Sequence, residues 1–452
     1  MSHDPRAAPG RKFLWPLVLS GILTFTVSGL PLASAHAGVE LRRASPESVG
    51  FSTERLAHLD ALMQRVVAAK DYAGVVTLLA RHGRVIHYKA FGKADLARGT
   101  ALEKDGIFRI FSMTKPITGA AMMLLYEEGK WSPQDPLYRY IPEFAHLKVN
   151  TRLNGFDAMV LEEPTHPPTM VELLTHTAGF AYGWGDGPVD RLYRDQQNRT
   201  IFLSGSLQAM IERLSKAPLL YQPGTRWIYS LSVDVQGYIV EKLSGMTLPE
   251  FMKKRLFEPL GMADTSFYVP PEKRGRLTTL YKMSDQGELA PAEPILGIQY
   301  DQTPALPEGG AGLVSTAADY FRFAQMLLNK GELNGTRILG SRTVELMMSN
   351  HLADSVQVEF GGIQMRPGIG YGFDGAVVTD PARAAVPLAK GAYFWDGAAG
   401  TWFWIDPTAD IVFVGMIQRL GWTSGTPERP APPDLQELSR AVTYQALVHP
   451  EL

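Results

Sequence analysis

Apolar residues first recur every three or four positions across residues 53–69, which is typical of a helix with one buried face. The apolar positions are Leu56, Leu59, Leu62, Met63 and Val66. Two apolar runs follow, at residues 74–80 and 85–88, and the polar string Arg81-His82-Gly83-Arg84 separates them. Strand-length runs on either side of a short glycine-containing connection predict a β-hairpin.

Capping residues predict three helices in the middle of the chain. Thr169 and Thr247 each precede a glutamate by three positions, which is the pattern of a capping box, and Thr316 precedes an aspartate in the same way. The helix that follows Thr169 is expected to stop at Gly179. The glycine-rich residues 309–312 are irregularly spaced and follow no predicted strand, so we interpret them as tight turns before a helix rather than as a phosphate-binding loop.

The pattern changes to strands near the C-terminus, before residues 433–448 return to helical spacing. The predicted strands are residues 371–379, 391–396, 401–405 and 411–417. Strands at both ends of the chain, with helices between them, predict one discontinuous α/β domain made of residues 38–110 and 366–452. A mainly helical domain at residues 111–365 would be inserted into it, with a ligand cleft at the boundary.

The N-terminal residues 1–37 are predicted to be a secretory signal. Arg6, Arg11 and Lys12 precede an apolar stretch at residues 13–32, and Ala35-His36-Ala37 then supplies a small-residue cleavage site. The alternative is an uncleaved anchor helix, although serine, threonine, glycine and proline dilute the stretch. We therefore expect an exported protein, periplasmic or secreted, with no stable membrane anchor after cleavage.

Composition narrows the functional classes. The 452 residues are 45% hydrophobic and 20% charged, as in an ordinary globular protein with a full core. A net charge of -2 offers no basic field, so nucleic acid is not an expected partner. There are no cysteines, and the ten histidines form no pair at ligand spacing on a helix. We therefore expect no cofactor, no catalytic metal and no thiol nucleophile, and the sequence specifies no oligomeric state.

The candidate nucleophile is Ser112. An aromatic-rich extended stretch precedes it, and helical spacing continues from it to about Glu128, before Gly129. Lys115 lies one turn later on the same face. A lysine amine can act as the base for a serine hydroxyl if burial or positive neighbours, such as a helix N-terminus, lower its pKa. The same helix N-terminus leaves backbone N–H groups for an oxyanion.

Two further segments supply the remaining groups of such a site. Tyr229 lies in a loop just before the predicted helix at residues 233–243, and a tyrosine can pass a proton to the leaving group if its pKa is lowered. The string from Tyr393 to Thr401 reads as an edge strand in which Gly397 permits close approach of substrate and the Ala398 N–H donates to the oxyanion. A packing tyrosine and a simple hairpin corner are the alternatives.

These motifs resemble the serine β-lactamase and penicillin-binding-protein superfamily, and most closely its class C-like branch that includes the family VIII carboxylesterases. Residues 173–179 and 312–316 also match, and the resemblance spans about residues 45–450. The three principal motifs are Ser112-x-x-Lys115, Tyr229-Ser230-x-Ser232 and Trp395-Asp396-Gly397. The resemblance implies an α/β fold of the β-lactamase/transpeptidase type: an antiparallel sheet flanked by N- and C-terminal helices, with an inserted helical domain.

The resemblance also implies roles for individual residues. Ser112 would be the acylated nucleophile, Lys115 the base and Tyr229 the proton carrier, with an oxyanion hole formed by the backbone N–H groups of Ser112 and Ala398. His176 is expected to be structural.

The chain departs from the β-lactam pattern at its third motif, where such enzymes usually carry Lys-Thr-Gly to bind the substrate carboxylate. Here Trp395, Asp396 and Gly397 stand as the expected substrate-binding residues. If Asp396 faces the cleft, repulsion of an anionic substrate costs roughly 1 to 4 kcal/mol, or up to about a thousandfold in binding. A strand also permits the opposite orientation, away from the cleft.

We therefore expect a serine hydrolase acting on a small neutral carboxylic ester. Acyl transfer to an alcohol or amine is the nearest alternative, because it shares the acyl-enzyme. A β-lactamase or D-alanyl-D-alanine carboxypeptidase ranks below it, and a non-catalytic envelope scaffold is disfavoured by the retained Ser112, Lys115 and Tyr229. Four aromatic residues of the inserted domain are candidates for an apolar pocket wall, core packing or lid packing: Tyr182, Trp184, Tyr193 and Phe202.

Overall fold

The computed structural model describes residues 41–152, 159–194, 205–292, 300–360, 363–364, 367–421, 423–426 and 429–452. The predicted secretory signal and Phe202 lie outside these described residues. All the described residues belong to one compact unit, and the division into an α/β domain and an inserted helical domain stays a prediction. No helix in the described ranges is both long enough and apolar enough to cross a membrane.

Helices occupy most of the middle of the chain. The α-helices are α1 (Thr53–Ala68), α2 (Thr114–Glu127), α3 (Met170–Leu174), α4 (Pro188–Leu192), α5 (Leu207–Leu214), α6 (Ser232–Ser244), α7 (Leu248–Met252), α8 (Glu258–Leu260), α9 (Ala317–Leu328), α10 (Ser341–Met347), α11 (Pro381–Ala384) and α12 (Leu435–Tyr444). A π-helical turn at Lys253–Phe257 joins α7 to α8. Short 3-10 turns lie at Pro46–Val49, Phe111–Met113, Leu137–Arg139, Pro142–Phe144 and Pro271–Arg276.

The strands are mostly short. They are β1 (Gly74–Arg81), β2 (Arg84–Asp95), β3 (Thr100–Ala101), β4 (Phe108–Arg109), β5 (Val149–Asn150), β6 (Leu161–Glu162), β7 (Tyr281–Met283), β8 (Leu289–Pro291), β9 (Val314–Ser315), β10 (Glu332–Leu333), β11 (Thr336–Arg337), β12 (Glu359–Phe360), β13 (Ile363–Gln364), β14 (Ile369–Tyr371), β15 (Ala376–Val378), β16 (Tyr393–Asp396), β17 (Trp402–Asp406), β18 (Ile411–Met416) and β19 (Arg419–Leu420).

One 8-stranded sheet organises the fold, in the order β14-β15-β16-β17-β18-β1-β2-β3. Its N-terminal and C-terminal strands join where β1 pairs antiparallel with β18, with Leu78 opposite Val414. The other pairs within this sheet are antiparallel as well. The predicted discontinuous antiparallel sheet is therefore confirmed, because strands more than 300 residues apart in sequence complete it.

Helices cover both faces of the sheet. On one face, the Trp402 indole N–H donates to the Ser439 hydroxyl of α12 at 3.2 Å, and α12 in turn packs beside α1. On the other face, the Phe403 ring lies 4.9 Å from the Tyr320 ring of α9. Successive residues of β17 thus point to opposite helical layers, as the pleat of a strand requires. Because β16 pairs with β17, the same register determines which residues of β16 face each helical layer.

The local predictions are largely confirmed. The capping boxes at Thr169 and Thr247 form, and the Thr316 hydroxyl accepts a hydrogen bond from the Asp319 backbone N–H. The helix predicted after Thr169, however, ends at Leu174, not at Gly179. The single strand predicted at residues 371–379 is also wrong: it is the hairpin β14–β15, which turns at Asp374 with φ of +58°.

Candidate active site

Ser112 lies at a strained turn between a strand and a helix. The strand β4 pairs with β9, and the Ile110 backbone N–H donates to the Leu313 carbonyl at 3.1 Å. Phe111, the next residue, has φ of +41°, a backbone conformation that costs a non-glycine residue about 1 to 3 kcal/mol. Phe111 is itself buried and so is held in place. The 3-10 turn that contains Ser112 then leads directly into α2.

Lys115 directs its amine at Ser112. Its Nζ donates to the Ser112 hydroxyl oxygen at 3.3 Å, to the Tyr182 hydroxyl oxygen at 3.2 Å and to the Gly310 carbonyl at 2.8 Å. The side chain is fully buried. An ammonium has three donors, and all three have partners here, so the lysine is held in one orientation with one N–H toward Ser112.

Burial lowers the pKa of Lys115 to about 8, and the negative charges of Asp234, Asp374, Glu308 and Asp396 act in the opposite direction. The predicted lowering of this pKa is therefore present, with burial rather than the helix N-terminus as its main cause. A lysine with this pKa is neutral in a substantial fraction of molecules near pH 8, which is the form that can accept the serine proton.

Buried carboxyl groups lie behind the lysine. The Gly310 backbone N–H donates to the Asp234 carboxylate at 3.0 Å, so one residue links Asp234 to the carbonyl that Lys115 contacts. Burial raises the pKa of Asp234 to about 6 and raises those of Glu308 and Asp374 well above the usual range. Of these three groups, Asp234 is the one most readily ionised near neutral pH.

Tyr229 precedes α6, as predicted, and lies against both residues of the Ser-x-x-Lys motif. Its ring centroid is 4.4 Å from the Lys115 Nζ. Burial raises the pKa of Tyr229, while hydrogen bonding by Ser112 and Trp395 partly opposes that rise. The role predicted from the sequence required a lowered pKa for Tyr229, and that requirement is wrong. The phenol stays protonated at neutral pH, which suits a hydrogen-bond and proton donor rather than a resting base.

His176 is a supporting residue, as expected. It is fully buried, its Nδ1 lies 3.0 Å from the Ser230 hydroxyl, and its ring is 5.0 Å from that of Tyr229. Burial and the nearby Lys115 charge hold the pKa of His176 well below its ordinary value. The imidazole is therefore neutral, and it packs against the Tyr229 ring.

The prediction that the third motif lies on an edge strand is wrong, because β16 lies between β15 and β17. A tight loop after β16 meets the turn that contains Ser112. The Gly397 N–H donates to the Thr401 carbonyl at 2.7 Å, and the Thr401 hydroxyl donates to the Ile110 carbonyl at 3.3 Å. A Cβ at Gly397 would stand 2.3 Å from that Ile110 carbonyl oxygen, so only glycine fits. Ala398 is exposed in this loop, and its role with Ser112 in an oxyanion hole stays a prediction.

The structure orients Asp396 away from the cleft. In the sheet Asp396 pairs with Trp402, on the face covered by α12, whereas Trp395 pairs with Phe403 on the opposite face. The Asp396 carboxylate receives a hydrogen bond from Gln436 of α12, and burial raises its pKa to about 6. The sequence permits two orientations, and the structure has the one directed away from the cleft. Asp396 is therefore not positioned to repel an anionic substrate. Trp395 is the motif residue beside Tyr229, with ring centroids 5.7 Å apart.

Three residues near the lysine were not predicted to act there. The sequence indicates Tyr182 only for a pocket wall or for core or lid packing, indicates the loop containing Gly310 only as a turn, and gives Asp234 no role. Tyr182 and Gly310 contact Lys115 from segments distant in sequence, and Asp234 contacts Gly310. The glycine at position 310 is a sequence signal for close packing at this place. A Cβ at Gly310 would stand 2.9 Å from the Asp234 carboxylate and 3.0 Å from the Tyr182 hydroxyl. Within the described ranges, no group of three or more His, Asp or Glu side chains is arranged to hold a metal ion.

Comparison with known proteins places this site in a family. The β-lactamase family model matches residues 59–434. Protein Rv1367c of Mycobacterium tuberculosis is 36% identical over 368 residues, covering 79% of this chain and 89% of that protein. Esterase EstB of Burkholderia gladioli is 31% identical over 391 residues, covering 80% of this chain and 90% of EstB.

A solved structure agrees with these matches. EstCE1, described as a hydrolase with promiscuous acyltransferase activity, has a TM-score of 0.70 and 27% identity, covering 86% of this chain and 99% of EstCE1. The resemblance drawn from the three motifs and the β-lactamase/transpeptidase-like fold are thereby confirmed. The chain therefore belongs to the β-lactamase family and is a serine hydrolase.

Proposed function

We propose that this protein hydrolyses neutral carboxylic esters through an acyl-enzyme on Ser112. The observation that carries the proposal is the buried Lys115 amine, with its pKa lowered to about 8, directed at the Ser112 hydroxyl at 3.3 Å. The similarity to an esterase and to EstCE1 supports the same reaction class.

Acylation would begin when neutral Lys115 accepts the Ser112 proton as the serine oxygen attacks the ester carbonyl carbon. The backbone N–H groups of Ser112 and Ala398 would stabilise the resulting oxyanion. As the carbon–oxygen bond to the alcohol breaks, the protonated Tyr229 would donate its proton to the departing oxygen. The lysine ammonium would then return a proton to the tyrosine. Lys115 and Tyr229 would end in their starting protonation states, and the proton lost by Ser112 would leave with the alcohol.

Deacylation would use the same groups in reverse. Neutral Lys115 would take a proton from a water molecule, directly or through Tyr229, as the water oxygen attacks the acyl carbon. The bond to the serine oxygen would then break, the proton would pass to that oxygen to restore the Ser112 hydroxyl, and the acid would be released. An alcohol in place of water would yield a new ester. Acyl transfer is therefore the second candidate function, and it is favoured by the acyltransferase activity described for EstCE1.

The preference for neutral substrates rests on Trp395. This residue stands where β-lactam-binding relatives carry a lysine, and its indole lies 5.7 Å from Tyr229 and 5.3 Å from Tyr371. An apolar ring offers no charge to a substrate carboxylate, so a β-lactam or peptidoglycan stem would lose that contact. We therefore rank β-lactamase and carboxypeptidase activity below ester hydrolysis. We also propose that the protein is exported, from the charged and apolar pattern of residues 1–37.

Covalent labelling tests the nucleophile. A fluorophosphonate probe should add to Ser112, as located by mass spectrometry of the labelled peptide, and Ser112→Ala should abolish the addition. His176→Ala is the matched comparison, because His176 packs beneath the site without contacting the serine. A folded His176→Ala protein that no longer labels would point to a histidine base and contradict the Lys115 mechanism.

A further inference from the structure

Trp184 is a large apolar side chain left 54% exposed, although it belongs to the aromatic cluster around the catalytic site. Its ring is stacked on that of Tyr182, with centroids 4.6 Å apart and an interplanar angle of 8°. Tyr182 itself is only 5% exposed. The stack therefore has a buried inner ring and a half-exposed outer ring.

The stack lies next to the proton carrier. The Trp184 and Tyr182 centroids are 5.7 Å and 5.4 Å from that of Tyr229. Tyr182 also accepts a hydrogen bond from Lys115 at 3.2 Å, which ties the inner ring to the catalytic lysine. An exposed indole beside catalytic groups differs from a scattered surface residue, because a bound substrate would cover it during turnover.

The position of the stack assigns it to one part of the substrate. The ester's alcohol oxygen must meet Tyr229 to receive a proton, so the group attached to that oxygen lies close to the Tyr229 ring. Trp395 occupies one neighbouring position, on the strand that leads to the Ala398 loop where the carbonyl oxygen would lie. The Tyr182–Trp184 stack comes from a different segment, and its outer ring is half-exposed.

We propose that the Tyr182–Trp184 stack binds the alcohol portion of the ester and selects flat, apolar alcohols, such as arylmethyl or polycyclic ones. The inference rests on the proposed ester hydrolysis and names its substrate class. A flat ring in the alcohol would cover more of the exposed indole surface of Trp184 than a short alkyl alcohol would.

Two acetate esters with similar alkoxide leaving groups test this assignment: naphthylmethyl acetate and ethyl acetate. Both form the same acetyl-enzyme, so the ratio of their kcat/KM values reports contacts with the alcohol alone. Trp184→Ala should lower this ratio about tenfold, the size expected for losing one ring stack. Trp184→Phe should recover most of the ratio. Tyr138→Ala is the control, because Tyr138 is an aromatic residue elsewhere in the helical region that is 43% exposed, and this variant should leave the ratio unchanged.

The possible outcomes separate the two levels of the proposal. Equal losses for both esters in Trp184→Ala would mean that Trp184 only supports the fold, and would overturn the assignment. A changed preference among ethyl esters of different acids, with the alcohol ratio intact, would place the stack on the acyl side and also overturn it. If neither ester shows Ser112-dependent turnover in the wild-type protein, the proposed function itself fails, and this inference fails with it.

Discussion

Replacing Asp234 by asparagine tests whether the buried carboxylates set the basicity of Lys115. Burial lowers the pKa of Lys115, and the nearby carboxylates raise it. Asp234 has the largest effect among these carboxylates. Its own pKa is raised to about 6, so it is largely ionised above pH 7. Gly310 links the two groups. Its backbone N–H donates a hydrogen bond to the Asp234 carboxylate at 3.0 Å, and its carbonyl accepts one from the Lys115 amine at 2.8 Å.

The sign of the effect follows from these contacts. Removing a negative charge disfavours the ammonium, so Asp234→Asn should lower the pKa of Lys115 below about 8. A neighbouring opposite charge is worth about 1 to 3 pKa units. With a pKa of about 8, roughly a tenth of the lysine is neutral at pH 7, and a fall of one unit would raise that fraction to about half. The low-pH limb of the rate profile should therefore shift to lower pH by about one pH unit or more.

The assay measures kcat/KM for a neutral ester between pH 6 and 10, and the reaction is monitored by titrating the acid that is released. In the wild-type protein, kcat/KM should rise about tenfold per pH unit up to pH 7 and flatten above pH 8 to 9, because the amine is then mostly neutral. Asp319→Asn is the matched control. Burial also raises the pKa of Asp319 to about 6, but its charge partners are Arg322 and Asp264, not Lys115.

The absolute rate of the Asp234→Asn variant can fall for other reasons, since Asp234 also orients Gly310. The position of the limb is the informative quantity. A limb that stays in place or moves to higher pH in Asp234→Asn would refute the electrostatic reasoning. The same downward shift in Asp319→Asn would show that the effect is not specific to the charge next to Lys115.

The remaining predictions concern the third motif. Gly397→Ala should lower kcat/KM about a hundredfold, because its Cβ would meet the Ile110 carbonyl at 2.3 Å and displace the turn before Ser112. Gly275→Ala, where a Cβ meets nothing within 4 Å, is the control, and equal losses in both variants would contradict the steric argument. Asp396→Thr should leave the ratio of cephalosporin to ester turnover unchanged, since Asp396 lies toward Gln436 of α12. A clear gain in cephalosporin turnover, measured by absorbance, would mean that its charge does reach the substrate.

The features that local sequence controls were predictable. The boxes at Thr169 and Thr247 involve residues three positions apart, and the spacing of Ser112 and Lys115 is one helical turn. Their neighbours along the chain largely decide such arrangements. The turn at Asp374 is a different case, because Asp374-Gly375 is itself a hairpin-turn signal and the single predicted strand ran across it.

The features that depend on distant segments were not predictable. Tyr182 and Gly310 meet Lys115 across 67 and 195 positions, and no periodicity records such a contact. The orientation of Asp396 depends on the pairing of β16 with β17, and a strand's pattern alone permits either face. The pKa of Tyr229 was misjudged for a similar reason, because the rings that bury it come from several separate segments.

Paired kinetics on residues 38–452 test the central claim most directly. The assay compares a short p-nitrophenyl ester with a chromogenic cephalosporin, with Ser112→Ala as the control for both. Ester hydrolysis through Ser112 predicts ester turnover that the variant loses, with little or no cephalosporin turnover. Efficient, Ser112-dependent cephalosporin turnover would contradict the preference for neutral esters, and ester turnover that survives in Ser112→Ala would contradict the acyl-enzyme itself.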